Sequence, residues 1–446
     1  MTTPRPWSTA LAVVALASQA SALDLPFEKT TLPNGLTLIV HEDHTLPLAA
    51  ANLLYDVGAR DEEPGRTGFA HLFEHLMFMG TRRAPSKKFD EWLEAAGGSN
   101  NAWTSSDFTD YHELGPSTLA PLFLWLEADR MDALGGEIDR AKLDLQRDVV
   151  RNERRQSIEN VPYGKVELRL PELLWPEGHP YHHPVIGSHA DLEAASVGDV
   201  RAFFARWYVA SNATLVVAGD VVAADVRALA ERSFGWMPKA PKPERASVAE
   251  PAPLGRVVRE TLVDRVELPK LVMAWRSPAH FAPGDAELDL FSQVLAQGKA
   301  GRLYHALVYD RAIAQSVSAS QSSDALASTF TLEVVLRKGV AIDAAERAVD
   351  RVLAQALAAP PTEAELARAR IGFEHGFVAR LQSLAARARL LAAYQAERGD
   401  PGWAARDLER YRVATAADVL RAARATLTES DRVVLRVVPE PSRGAR

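Results

Sequence analysis

The apolar positions of this chain fall into two kinds of pattern. Short runs bounded by turn residues read as strands. Thr37 to Val40 follows a Pro33-Asn34-Gly35 turn, and Leu48 to Leu54 follows Leu46-Pro47. Leu271 to Trp275 follows Leu268-Pro269, and Thr214 to Val217 and Val433 to Val438 are rich in β-branched residues. Longer stretches repeat at the helical period: Pro116 to Met131, Ala141 to Ser157, Val340 to Leu357 and Thr362 to Leu391. Grouped strands and long helices, rather than strict alternation, predict an α+β fold of antiparallel-rich sheets packed with long helices.

The same order of features occurs twice. The Leu-Pro pairs lie 222 positions apart, and the helix openings Ser196-Val197-Gly198-Asp199-Val200 and Thr415-Ala416-Ala417-Asp418-Val419 lie 219 apart. Two unrelated markers at nearly one offset predict two homologous tandem domains. Five prolines between Met237 and Gly255 mark a linker. The expected division is 23–236, a linker over 237–255, and 256–446. Residues 1–22 read differently. Arg5 precedes an apolar stretch, Ala10 to Ala17, that is too short to span a bilayer, and Ala20-Ser21-Ala22 has the small-x-small form of a signal-peptidase site. The expectation is export, to the periplasm or beyond, with mature protein starting at Leu23.

Composition narrows the chemistry. Hydrophobic residues at 47% and charged ones at 24% describe an ordinary globular chain, and the net charge of −7 lacks the basic footprint of a nucleic-acid binder. With no Cys, disulfide frameworks, thiolate metal sites and Cys nucleophiles are excluded. What remains prominent is Gly68-Phe69-Ala70-His71-Leu72-Phe73-Glu74-His75-Leu76. On a helix, four residues rotate by about 400°, so His71 and His75 lie within about 40° of each other and about 6 Å apart along the axis. Two imidazoles so placed can bind one tetrahedral ion, and Glu74 faces the same side. Residue frequencies predict about 0.02 chance matches to His-x-x-Glu-His in a chain of this composition, so the pattern is specific. A catalytic zinc usually takes a third protein ligand. Here the candidates are Glu153, on the second helical pattern, and the loop histidines His179, His182 and His183. Glu374-His375 lacks the rest of the motif and reads as helix surface.

His-x-x-Glu-His inverts the common zincin order. With it come Leu32-Pro33-Asn34-Gly35-Leu36, Gly97-Gly98-Ser99-Asn100-Asn101-Ala102-Trp103-Thr104 before Asp107, Thr109 and Tyr111, Val149-Val150-Arg151-Asn152-Glu153-Arg154, and Pro184-Val185-Ile186-Gly187. In these segments the chain resembles the pitrilysin/insulinase family of zinc metallopeptidases, in particular its shorter bacterial members akin to mitochondrial processing peptidase. The resemblance implies one Zn2+ on His71, His75 and Glu153, with Glu74 as general base. It implies an edge strand carrying Asn101, Ala102 and Thr104 that pairs with extended peptide substrates. It departs from the family at Gln146, where a second Glu is usual, and at Tyr309 and Gln315, where an Arg and a Tyr normally reach the substrate carbonyl. The resemblance therefore implies a heterodimer with a metal-free homologue that supplies the missing pair; a homodimer is also compatible, and the alternative is a local substitute from Arg302 or Arg311, which lie close by in sequence. Against the endopeptidase reading stands a non-catalytic assembly subunit of the same fold.

Overall fold

The computed structural model describes residues 25–441, so the expected export signal and the mature start at Leu23 lie outside the described residues. The strands are β1 (Glu28–Thr31), β2 (Thr37–Glu42), β3 (Leu48–Tyr55), β4 (Ser99–Thr104), β5 (Thr109–Pro116), β6 (Ala213–Gly219), β7 (Val257–Asp264), β8 (Lys270–Ser277), β9 (Ala314–Ser322), β10 (Ser328–Leu336) and β11 (Arg432–Pro439). The first half carries helices α1 (Phe69–Leu76), α2 (Lys88–Ala95), α3 (Ala120–Glu137), α4 (Arg140–Glu153), α5 (Lys165–Leu174), α6 (His189–Ala194), α7 (Val197–Trp207) and α8 (Ala223–Phe234). The second carries α9 (Asp285–Ala296), α10 (Ile342–Ala358), α11 (Glu363–Arg380), α12 (Leu384–Arg398), α13 (Ala404–Val413) and α14 (Ala416–Thr426).

The strands form two sheets, ordered β1-β2-β6-β3-β5-β4 and β7-β11-β8-β10-β9. Pairing directions repeat. β2 lies parallel to β6 and β7 parallel to β11, while the remaining pairs of each sheet are antiparallel. Setting aside β1, the two sheets are the same arrangement made twice, as the offset markers predicted. The repeated helix openings are capping boxes, Ser196 with Asp199 before α7 and Thr415 with Asp418 before α14.

Each sheet is buried on both faces, and the reason is an exchange of helices. On one face of the first sheet, Leu38, Val40, Ala51 and Leu53 pack into the half's own core with α1, α3 and α7. On the other, Ile39, Ala50, Leu54, Val216 and Ala218 pack against Ala388, Leu391 and Ala392 of α12, which belongs to the second half. Reciprocally, Val272, Ala274, Val433, Leu435 and Val437 of the second sheet meet Val166 and Leu174 of α5, Trp175 and Tyr181 from the first half. Each large apolar side chain buried this way contributes roughly 1.5–3 kcal/mol.

Two helical expectations are corrected. The pattern from Thr362 to Leu391 is two helices, broken at Leu381–Ser383, where Ser383 caps α12 by accepting from the Ala386 N–H. The break lets α12 leave its own half and cross to the first sheet. The pattern from Pro116 starts later, because Pro116 ends β5 and α3 begins at Ala120. Residues 238–255 hold no helix or strand. Arg245 nonetheless anchors this segment to the first half, with Nη1 2.7 Å from Asp56 and Nε 2.7 Å from Asp61. Among the described residues, no helix is long and apolar enough to cross a membrane.

Candidate metal centre

α1 opens at Gly68, whose φ of 88° favours glycine. A Cβ there would meet the Ile186 carbonyl oxygen at 2.8 Å and the Gly187 Cα at 3.0 Å, so two backbones touch where the helix starts. Gly68 has no side chain to cap the helix. Glu62, six residues upstream, does so instead: its carboxylate accepts from the Gly68 and Ala70 N–H groups, both at 2.8 Å. Burial pushes the Glu62 carboxyl well above its ordinary range. Sequence reading missed this residue. Its one signal is an acid just upstream of a helix that lacks a capping side chain.

The apolar residues Phe69, Leu72, Phe73 and Leu76 bury one side of α1. His71 and His75 project from it together, with ring centroids 4.8 Å apart and planes nearly perpendicular. α4 runs past α1 and delivers Glu153 at its last turn. His75 Nε2 is 3.1 Å from Glu153 Oε2, His71 Nε2 is 3.7 Å from Oε1, and the two Nε2 atoms are 3.4 Å apart. Among the described residues this is the one group of three or more His, Asp or Glu side chains whose ligand atoms converge, all within 4.8 Å.

The donor set fits a zinc ion. Bonds of about 2.0–2.1 Å in a tetrahedron put ligand atoms about 3.3 Å apart, close to the 3.4 Å between the two Nε2 atoms and the 3.1 and 3.7 Å from each to its nearer Glu153 oxygen. Protonation states agree. Burial, then the neighbouring His75, lowers His71 to about 4, which leaves a neutral imidazole with a free lone pair. The His75 hydrogen bond holds Glu153 below its ordinary value, so it is ionised. Glu74 stands beside this group. Its Oε2 accepts from the Thr104 hydroxyl at 2.6 Å, and burial raises its carboxyl toward the range of a useful base. Thr104 ends β4, the outermost strand of its sheet. Asn101 and Ala102 lie on the same strand, and its outer edge has no partner among the described strands.

The loop histidines go elsewhere. His179 stacks on Trp175 at 4.6 Å and accepts from the Tyr181 N–H, and burial lowers it to about 4. His182 Nδ1 bonds the Trp175 carbonyl at 2.8 Å. His183 lies beside the capping Glu62, Nδ1 to Oε2 3.6 Å. The loop therefore supports the helix that carries His71 without joining its ligand atoms. Gln146 faces the Met79 sulfur. Glu374 pairs with Arg412, and His375 lines a separate cavity between α9 and α11. Immediately after Glu153 the helix widens to a π-turn over Arg154–Glu159, and Arg154 donates to the Gly187 carbonyl. Widened turns of this kind gather at functional sites.

A two-layered tandem fold with a His-His-Glu cluster on its first repeat defines a class, and comparison with known proteins names it. The insulinase (peptidase M16) family profile matches residues 37–176, and the profile described as the M16 inactive domain matches residues 194–373. The chain belongs to the M16 peptidase family. It is 28% identical over 391 residues to the zinc protease PqqE of Helicobacter pylori, spanning 87% of each chain. A crystal structure of a protease from Helicobacter pylori superposes with a TM-score of 0.86 at 26% identity, covering 93% of this chain and all of that one. The mitochondrial-processing peptidase subunit beta of Blastocladiella emersonii is 28% identical over 265 residues, 56% of this chain and 54% of that one.

Proposed function

We propose that the chain is a zinc-dependent endopeptidase of the inverted-motif, processing-peptidase-like branch of its family, acting on peptides or unfolded segments. The observation that supports this best is the convergence of His71, His75 and Glu153, ligand atoms all within 4.8 Å of one another, beside a Thr104-held Glu74. Zinc on those three ligands would supply Lewis acidity and a low-pKa water at neutral pH. Glu74 accepts the proton of the attacking water and delivers it to the leaving amide nitrogen. The outer edge of β4, at Asn101, Ala102 and Thr104, pairs with the substrate backbone as an added strand, which recognises extended chains with little regard to side chain. In this reading 23–236 is the catalytic half, 237–255 the linker and 256–446 its metal-free homologue. Residues 1–22 direct export to the periplasm or beyond.

Activity is proposed to need a homologous partner. Tyr309, where the family resemblance leads one to expect Arg, is 75% exposed, and Gln315 is exposed on the edge strand β9. Arg302 is already gripped by both oxygens of Glu365, at 2.8 Å each. A second chain supplying an Arg and a Tyr would complete the oxyanion site.

The test is metal analysis with a quenched-peptide assay, on the purified chain alone and with its candidate partner. About one zinc per chain is expected, with turnover that rises on adding the partner. Glu74→Gln should keep the zinc and lose activity by a factor on the order of 10²–10⁴. A chain that binds no zinc and cuts nothing in either state would favour the assembly-subunit reading.

A further inference from the structure

The turn between β4 and β5 begins one residue after Thr104 and carries a buried acid, Asp107, 3% exposed. Its Oδ1 accepts the Tyr181 hydroxyl at 2.7 Å and lies 2.9 Å from Arg60 Nη1. Its Oδ2 accepts the backbone N–H of Ala325 at 2.9 Å. The Tyr181 hydroxyl in turn accepts the N–H of Leu326 at 3.0 Å. Ala325 and Leu326 belong to the turn between β9 and β10, the counterpart of the β4–β5 turn in the other half. The two equivalent turns are thus tied to each other through one carboxylate and one phenol.

The first-half turn is pinned from below as well. Ser105 Oγ accepts from the Asp107 and Phe108 N–H groups, and the Ser105 and Ser106 carbonyls accept from Ala59 and Arg60. A turn held on two sides sets the position of the strand end leading into it. That end is Thr104, which pairs with Thr109 across the turn and donates to Glu74. Buried groups that hydrogen-bond one another hold each other in place, and losing one member leaves others unsatisfied.

We propose that Asp107 and Tyr181 are positioning residues through which the C-terminal half sets the Thr104–Glu74 hydrogen bond. The inference rests on the peptidase reading of Glu74. Neither residue touches the reacting atoms. Each acts by keeping a strand end within the fraction of an ångström that a proton-transferring carboxylate needs.

The experiment is a double-mutant cycle in the full chain with its partner, paired with hydrogen exchange. Tyr181→Phe should lower kcat about tenfold with KM within about twofold and zinc content unchanged. If Tyr181 acts through Thr104, the Tyr181→Phe, Thr104→Val double variant is no slower than Thr104→Val alone. Fully additive losses would overturn the proposal. In the exchange measurement, Tyr181→Phe should quicken exchange at Ala325 and Leu326 and also across residues 103–109. Quickening at 325–326 with 103–109 unchanged would overturn it, whether or not the chain cuts peptides. Asp107→Asn, which keeps the acceptor oxygen for Tyr181, repeats both readouts if Tyr181→Phe folds poorly. A wild-type chain that binds no zinc and cuts nothing would sink the peptidase reading alone, leaving the exchange result to decide the coupling.

Discussion

α1 and α9 occupy the same place in the two repeats, and they start the same way. Each is preceded by a glycine in the left-handed region, Gly68 at φ 88° and Gly284 at φ 102°. Three, six and seven residues on, the first helix has His71, Glu74 and His75, and the second has Glu287, Leu290 and Phe291. Leu290 and Phe291 are wholly buried in the core of the second half. Glu287 turns back to accept the Gly284 N–H at 3.0 Å, capping its own helix, a task that Glu62 performs for α1 from a distance. One scaffold therefore has two fillings. Apolar side chains at these positions are ordinary core. Imidazoles and a carboxylate there are costly unless a cation repays their desolvation, which is the difference the proposed metal site would turn to use.

The largest effect should come from removing a ligand on one side of this comparison. His71→Ala or Glu153→Ala is expected to strip the zinc and abolish turnover, while Glu374→Ala on the second half leaves both intact. Metal content per chain after desalting checks this. His182→Ala that lost zinc while Glu153→Ala retained it would reassign the third ligand. Next in size is the apolar counterpart. Leu290→Ala should cost about 2–5 kcal/mol of stability through the cavity it leaves, with zinc stoichiometry unchanged, read from the denaturant midpoint. If it instead emptied the metal site, the halves would be coupled far more tightly than their separate cores suggest.

The smallest effect concerns pH. Asp324 sits in the β9–β10 turn, with Asp107, His280, Arg60 and Glu397 as its charged neighbours. Burial, then Asp107, raises its carboxyl to about 7. An acid whose native value lies above its unfolded value of about 3.9 binds more protons when folded between those limits. Its contribution is fully present below about pH 4 and is lost as pH rises through about 7. Asp324→Asn cannot ionise, so its Tm should change less between pH 5 and pH 8 than that of wild type. Equal pH dependence in the two proteins would remove Asp324 from the interface energetics.

Much of this is legible in the sequence alone. Local signals carried it: the Leu-Pro pairs before β3 and β8, the capping boxes at Ser196 and Thr415, and the one-turn spacing of His71 and His75. Glu153 was different. On its own helix it looks like any surface acid, and only the family pattern singled it out. Tyr181 and the Ala325 amide were invisible because their meaning lies in contacts across tens to hundreds of residues, whereas Glu62 caps a helix only six residues on and left just the faint signal of an upstream acid. The crossing of α12 escaped for a related reason. Its apolar stripe reads the same whether it covers its own sheet or its neighbour's, so the pattern from Thr362 to Leu391 looked like one helix.

The exchange of α5 and α12 has a consequence for how the molecule can be taken apart. Each half lends the other a helix that its sheet needs, so the two behave as interlocked pieces rather than beads on a string. The extended segment over 246–250 is mostly exposed and without regular structure. A nick there would sever the covalent connection and still leave every exchanged contact in place. The two fragments should remain associated after cleavage, and separately expressed halves should reconstitute each other only when mixed. A homologous pair of genes, or one gene broken in two, could therefore encode the same particle.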